Sequence, residues 1–324
     1  MKNYSIGIFG LGNIGLRHLE GILKSKKNLD ISCFDPSQKA WKKAESIFLD
    51  QNIGKKTIKF YETIQMSDKK FDLVIISTNS DIRFKVLQDI FDHSYAQYVI
   101  LEKVLFQNIK DLKKARRIIG KHKSSAWVNC PRRKWNSYKE VKEILFDKEG
   151  LNFTIEGGRW GMSSNTIHFL DLFEWLSSSK IASIDISKLD SKIMKSKREG
   201  YVELSGIISG ELKNSFKFKL ISDISEENLP LNLRIFGNDI NILISETNNH
   251  ISIEKNGGNE EKKFFEICFQ SDLSGIILDE ILSEGDSELT NFEDSYFQHE
   301  ILLNSFTEHI SKVTKKNIEN CPIT

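Results

Sequence analysis

Cysteine is scarce in this chain of 324 residues, and the four that occur, Cys33, Cys130, Cys268 and Cys321, are scattered. They form no C-x-x-C pair and have no histidine at a ligand spacing, so no metal site is expected and a reduced, cytoplasmic setting is. An excess of either charge is equally lacking, with 46 Lys and Arg against 45 Asp and Glu. No net field therefore draws the chain to nucleic acid or to a membrane surface. No apolar run approaches a membrane span, and no leader-like segment, internal repeat or low-complexity linker stands out. The length exceeds one ordinary domain and suits two, each with its own core, as fits an enzyme acting on a small molecule in a cleft.

What the chain does have is a strand running into a glycine turn, Ser5-Ile-Gly-Ile-Phe-Gly10-Leu-Gly12-Asn-Ile-Gly15-Leu-Arg-His18. Ile6, Ile8 and Phe9 read as a buried strand, and Ile14, Leu16, Leu19, Ile22 and Leu23 follow at helical spacing. In that context G-x-G-x-x-G is what a dinucleotide pyrophosphate requires. Gly10 permits the tight turn, Gly12 removes the Cβ that would keep phosphate oxygens off the backbone, and Gly15 lets the helix pack close to the strand. Leu11, Asn13 and Ile14 complete the turn, where free N–H groups at the helix start face the anion. A second strand, Asp30-Ile-Ser-Cys-Phe-Asp35, ends in a carboxylate at the distance expected for a ribose ligand. Asp35 can accept both adenosine hydroxyls and repel a 2′-phosphate, which favours NAD, while Lys39 nearby leaves NADP open. The plain alternatives are an ordinary glycine-rich loop and a helix cap before Pro36; strand, turn, helix and acid in this order favour the cofactor.

Residues 1–125 alternate strand and helix patterns and predict a doubly wound parallel sheet, a Rossmann domain of α/β class. Residues 126–324 predict an α+β domain on a mostly antiparallel open sheet. Its strands are expected near 181–190, 201–208, 211–222, 231–237, 240–246, 250–255 and 262–269, and its closing helices near 274–284 and 292–313. In the first domain, Ser77, Thr78 and Asn79 follow the fourth strand at its carboxyl end, where ligands of such sheets lie. They are candidates to contact the cofactor; capping of the next helix by Ser80 or Asp81 accounts for the same residues equally well.

Two features could carry chemistry. The fifth strand ends in Glu102-Lys103-Val104, placing an ammonium at the sheet's carboxyl edge, where it could hold a substrate hydroxyl and favour its alkoxide. A solvated surface pair is the ordinary alternative. The second is Trp160-Gly-Met-Ser-Ser164-Asn165-Thr-Ile-His168-Phe-Leu-Asp171, opening a helix expected over 165–178. That helix is apolar nearly all round, yet carries Asn165, His168 and Asp171 at every third position. Buried polar groups need partners. Asp171 can fix the imidazole tautomer so that His168 takes a proton, or the pair can be a structural hydrogen bond inside the core.

Taken together these residues resemble the glucose–fructose oxidoreductase and inositol dehydrogenase family, often written Gfo/Idh/MocA, over most of the chain. Gly10 to His18 looks like the family's opening, Ser77-Thr78-Asn79 its strand-four turn, and Glu102-Lys103-Val104 its Glu-Lys-Pro. Pro131-Arg132-Arg133 with Tyr138 and Lys142 resembles the start of its second domain, and His168-Phe-Leu-Asp171-Leu its His-x-x-Asp-Leu helix. The resemblance implies NAD(P)-linked transfer of a hydride to or from a secondary hydroxyl or keto group of a sugar, cyclitol or sugar nucleotide. It makes Lys103 and His168 the catalytic pair, converging on one pocket from separate domains, Glu102 a cofactor neighbour, and the protein a homo-oligomer, dimer or tetramer.

The Trp160-Gly161 segment and the Cys321-Pro-Ile-Thr324 ending look like a branch associated with surface-sugar biosynthesis. Trp160, Asn165, Asp171 and Arg133 are the substrate-side candidates, with Arg132, Lys134 and Arg159 placed where a phosphate or carboxylate could be held. Two positions depart from the pattern. Ser164 stands where the family carries an Asp four residues before the histidine, and Val104 replaces its proline, so that a trans Lys103–Val104 bond is expected. The departures keep two alternatives open: an epimerase or lyase that retains its NAD, and a non-catalytic dinucleotide-binding or scaffold protein.

Overall fold

The computed structural model describes residues 2–51, 54–67, 69–223 and 229–324. They fall into two compact units, Met1–Pro131 with Cys268–Tyr296, and Arg132–Ile267 with Phe297–Thr324. The single boundary near residue 125 read from the sequence thus becomes a division in which the chain returns late to its first unit.

The first unit alternates β1 (Asn3–Phe9), α1 (Asn13–Leu23), β2 (Asn28–Phe34), α2 (Gln38–Leu49), β3 (Lys56–Tyr61), β4 (Phe71–Ile76), α3 (Ser80–His93), β5 (Ala96–Leu101), α4 (Ile109–His122) and β6 (Ser125–Val128). The strands pair in parallel in the order β6-β5-β4-β1-β2-β3. Ile6, Ile8, Leu73, Val74, Ile75 and Ile76 are wholly buried, the near-continuous apolar filling of a sheet covered on both faces. Side-chain caps start two of the helices: Ser37 accepts the Ala40 N–H ahead of α2, and Asn108 the Asp111 N–H ahead of α4. Strand order reverses between β1 and β4, so the segments leaving these two strands border a switch point at the carboxyl edge.

The second unit holds α5 (Asn136–Ile144), β7 (Asn152–Gly157), α6 (Met162–Ser177), β8 (Ile181–Leu189), β9 (Met194–Lys195), β10 (Val202–Glu203), β11 (Gly206–Leu212), β12 (Lys217–Ser222), β13 (Asn232–Phe236), β14 (Ile240–Ser245), β15 (His250–Lys255) and β16 (Glu261–Phe264). Eight of these strands form a sheet in the order β16-β15-β14-β13-β7-β12-β11-β8, antiparallel except where β12 meets β7. Phe153, Ile155, Phe218, Leu220, Leu233 and Ile235 are buried at alternate positions, and their neighbours Thr154, Lys217, Lys219 and Arg234 point the other way. Helix α6 covers the apolar face: the Phe173 ring lies 5.0 Å from Phe153 and 5.7 Å from Phe218.

The chain then gives α7 (Gln270–Glu284) and β17 (Thr290–Asn291) to the first unit, and α8 (Phe292–Thr314) passes from the first into the second. β17 extends the parallel sheet antiparallel to β6. α7 belongs with α1 because small residues let the two helices touch: a Cβ on Gly275 would stand 2.4 Å from the Gly21 carbonyl oxygen.

Two boundaries differ from expectation. Helix α6 begins at Met162, three residues early, after Gly161 at φ +75°. Gly210, which falls between the expected strands 201–208 and 211–222, lies inside β11, and the reversal falls at Ser215, whose φ is +66°. Gly210 is glycine for closeness, since a Cβ there would come within 2.3 Å of both the Ser183 carbonyl oxygen and the Phe218 ring. Gly210→Val is expected to lower stability by about 1–3 kcal/mol, read as a fall in the urea midpoint at constant slope.

Candidate functional site

In the first unit the switch point opens into a cleft of about 580 Å³, bordered by Gly10, Gly12, Asp35, Ser77, Thr78 and Asn79 among others. Gly10 has φ +91°, and a Cβ there would meet the Thr78 backbone nitrogen at 3.0 Å; one on Gly15 would lie 2.0 Å from the Gly10 carbonyl oxygen. At Gly12 the same test meets nothing within 4 Å. The first and third glycines are thus required by the protein itself, and the second borders open space at the start of α1. N–H groups there have no partner within the helix, and no acidic side chain lies in the first turn. Leu11 is buried, while Gly12 and Asn13 are exposed and Ile14 half-buried. This is the cradle that a pyrophosphate fits.

Asp35 joins the cradle to the next strand. Its Oδ2 accepts the Leu11 N–H at 2.7 Å and its Oδ1 the Ser37 N–H at 2.8 Å, which leaves acceptor capacity on both oxygens for ribose hydroxyls. Ser77 works inward: its hydroxyl donates to the carbonyls of Gly10 (2.7 Å) and Phe9 (3.1 Å), tying β4 to β1. Asn79 occupies the cap position of α3 without a side-chain cap bond. Sequence reading missed the cleft's other wall, Thr63, Ile64 and Gln65 after β3, with Ile82 on α3. The rule that ligands lie at carboxyl ends of strands applies to β3 as much as to β1 and β4.

At the end of β5, Glu102 is 6% exposed and turned inward. Its Oε1 meets His18 Nε2 at 3.0 Å and accepts Asn129 Nδ2 at 2.5 Å, while His18 Nδ1 lies 2.9 Å from Ser274 Oγ on α7. Burial alone would push the Glu102 carboxyl up, but His18, Asn129 and the charge of Lys103 outweigh it and hold the group below its ordinary range. Glu102, expected as a cofactor neighbour, buttresses the strand end from which half-buried Lys103 follows. The Lys103–Val104 peptide is cis, contrary to the trans bond expected from local preference. Tertiary contacts hold this segment: Val104 is fully buried, and Arg83 on α3 donates to the carbonyls of Val104, Leu105 and Thr78. Arg83, itself 2% exposed, so connects the segment after Lys103 to the cofactor cleft, a role hidden in the sequence because its acceptors are backbone carbonyls.

In the second unit, α6 carries His168 half-buried, with Asp171 one turn on and 1% exposed. Arg133 grips Asp171 at two points, Nε to Oδ2 at 2.8 Å and Nη2 to Oδ1 at 2.5 Å. Gln298 adds a donor to Asp171 at 3.4 Å and one to Glu174 at 2.7 Å. Arg132 likewise binds Glu246 through Nε and Nη2, both at 2.7 Å, and its guanidinium lies 4.7 Å from the Phe169 ring centre. The substrate-side candidates Arg133 and Asp171 are therefore partners of each other. Asn165 donates to the Trp160 carbonyl at 2.7 Å, and Trp160 Nε1 to the Ile221 carbonyl at 2.8 Å, so these two secure the turn into α6.

Against known proteins, residues 4–130 match the family model of the Gfo/Idh/MocA oxidoreductases, described as the oxidoreductase family with an NAD-binding Rossmann fold. Those residues are thus the part of the chain that forms an NAD-binding Rossmann fold. No curated protein matches by sequence. Among solved structures, the UDP-N-acetylglucosamine 3-dehydrogenase GnnA of Acidithiobacillus ferrooxidans is similar, with TM-score 0.73, 13% identity and 94% of this chain and 97% of that one covered. An Agrobacterium radiobacter oxidoreductase in complex with NAD+, L-tartaric acid and magnesium gives 0.72 at 15% identity, covering 93% and 94%. The transcriptional regulator Gal80p of Kluyveromyces lactis gives 0.71 at 15% identity, covering 98% and 93%. At these identities the likeness is one of fold.

Because a Cβ at Gly12 meets no protein atom, Gly12→Val is expected to keep the unfolding midpoint yet weaken NAD binding about 100-fold, or about 2.7 kcal/mol, by calorimetry. Glu246, like Glu102, is pushed up by burial but held below its ordinary carboxyl value of 4.5 by Arg132 and Tyr138. The unfolded chain takes up protons at these sites before the folded one does. Their contribution to stability is therefore complete above about pH 4.5 and lost as pH falls through the lowered folded-state values. Thermal midpoints measured against pH should fall on acidification, and Glu246→Gln should flatten part of that dependence.

Proposed function

We propose that the protein is an NAD-dependent oxidoreductase acting on a secondary hydroxyl or keto group of a sugar, cyclitol or sugar nucleotide. The observation that carries this reading is the placement of the dinucleotide cradle and Lys103 at the same carboxyl edge of one parallel sheet. NAD, when bound, supplies the hydride acceptor, and its reduced form the donor. Gly10, Gly12 and Gly15 admit the pyrophosphate, the N–H groups of Asn13 and Ile14 face it, and Asp35 takes the ribose hydroxyls. Thr78 and Asn79 lie along the same cleft.

In the oxidative direction the substrate loses a hydride from carbon and a proton from oxygen. The Lys103 ammonium holds that oxygen and stabilises the charge growing on it, and His168 takes the proton; reduction returns both. Arg133 and Asp171 keep α6 aligned, while Trp160 and Asn165 shape its start on the substrate side. A sugar-type substrate is supported by the likeness to a UDP-N-acetylglucosamine dehydrogenase, and we place the reaction in the cytoplasm, within a homo-oligomer, as part of surface-sugar synthesis.

A second reading, dinucleotide binding without turnover, is favoured by Ser164 in place of an acid and by the likeness to a transcriptional regulator. Screening sugars, cyclitols and nucleotide sugars with NAD for formation of reduced nicotinamide separates the two. Lys103→Met and His168→Ala are each expected to lower turnover about 10²–10⁴-fold with NAD affinity unchanged. Undiminished turnover in both would reject these roles, and NAD binding with no turnover on any compound would favour the second reading.

A further inference from the structure

The first turn of α6 is met by a carboxylate from outside the helix. Glu203, on β10, accepts the Ser163 N–H at Oε2 (3.0 Å), its Oε1 shares the Ser164 hydroxyl (3.4 Å) with the Gly161 carbonyl (3.2 Å), and Ser163 Oγ accepts the Leu204 N–H in return (2.8 Å). β10 is itself anchored by pairing with β9 and by donation of the Val202 N–H to the Pro322 carbonyl at 2.9 Å. Ser164 and His168, four residues apart, stand one above the other on a single helix face. The Glu203 carboxylate therefore sits beside Ser164, the position one turn ahead of the imidazole.

We propose that Glu203 is the positioning residue for His168, supplying from β10, across Ser164, the negative charge that favours the protonated imidazole. This rests on the reading of His168 as the proton carrier. A helix cap requires one acceptor oxygen, and Glu203 gives a second to Ser164, whose side chain faces the same way as the histidine. The other charged groups along α6 within this unit are engaged elsewhere. Asp171 pairs with Arg133, Glu174 with Lys180 and Gln298, and Arg132, over the Phe169 ring, with Glu246. Arg159 lies exposed ahead of the helix.

The test reads the imidazole directly and needs no substrate. The His168 resonance is followed by NMR across pH in the full-length, histidine-labelled protein, assigned by its loss in His168→Gln. Glu203→Gln retains an acceptor for the Ser163 N–H and removes only the charge. The His168 midpoint is expected to fall by about half to one pH unit in Glu203→Gln, since an opposite charge nearby favours the charged ring. Glu203→Gln/Ser164→Asp, which puts a carboxylate back one turn ahead of the histidine, is expected to restore it. An unchanged midpoint in folded Glu203→Gln overturns the proposal, as does failure of the double variant to recover a lowered one. Charges common to all variants, those of Lys103 and Arg159 included, cancel in the comparison. Failure of the dehydrogenase reading shows separately, as absence of turnover in the unsubstituted protein.

Discussion

The chain leaves β1 through a contact with no room for a side chain: a Cβ on Gly15 would stand 2.0 Å from the Gly10 carbonyl oxygen. That approach draws α1 against the sheet and aims its N-terminal N–H groups into the cleft. The same carbonyl accepts the Ser77 hydroxyl, so the ends of β1 and β4 are locked to one another. Thr78 follows Ser77, and Arg83, one turn into α3, holds the Thr78 carbonyl together with those after Lys103. Alignment of the cofactor cradle and of the lysine segment thus passes through a short series of backbone oxygens, held by the side chains of Ser77 and Arg83.

The second unit is organised by charge. Two consecutive arginines, Arg132 and Arg133, each make two-point pairs with carboxylates that arrive from distant parts of the chain, Glu246 and Asp171. Removing one member of such a pair leaves the other desolvated and unmatched, at a cost of about 3–5 kcal/mol. Arg132 and Arg133, candidates for holding an anion by sequence, are paired with carboxylates of the chain itself, and α6 is clamped on the side of Asp171 by Arg133 and at its start by Glu203.

Much of the fold was legible in the sequence because its causes are local. The glycine turn, the alternation of apolar strands with amphipathic helices, the acid closing β2 and the antiparallel run after α6 each show within a dozen residues. What stayed hidden depends on partners brought together only by folding. Glu102 meets a histidine 84 positions away, and Asp171 an arginine 38 positions away, so nothing near either residue announces its role. Gly210 lies between two expected strands but answers to a neighbouring strand and ring. The Lys103–Val104 bond defies local preference in a segment gripped by Arg83. Of the candidate site, the nucleotide half was readable and the partners of α6 were not.

The return of α7 bears on how the protein is made. His18, on α1, completes its hydrogen bonding with Ser274, 256 residues later. A nascent chain that has exposed the whole parallel core still lacks the helix that packs on α1, with an imidazole and a glycine surface left bare until α7 has been made. Closing so distant a contact is entropically slow. Vectorial synthesis therefore cannot finish the nucleotide domain first, and an excised N-terminal fragment ending at Pro131 would be born without one of its own walls.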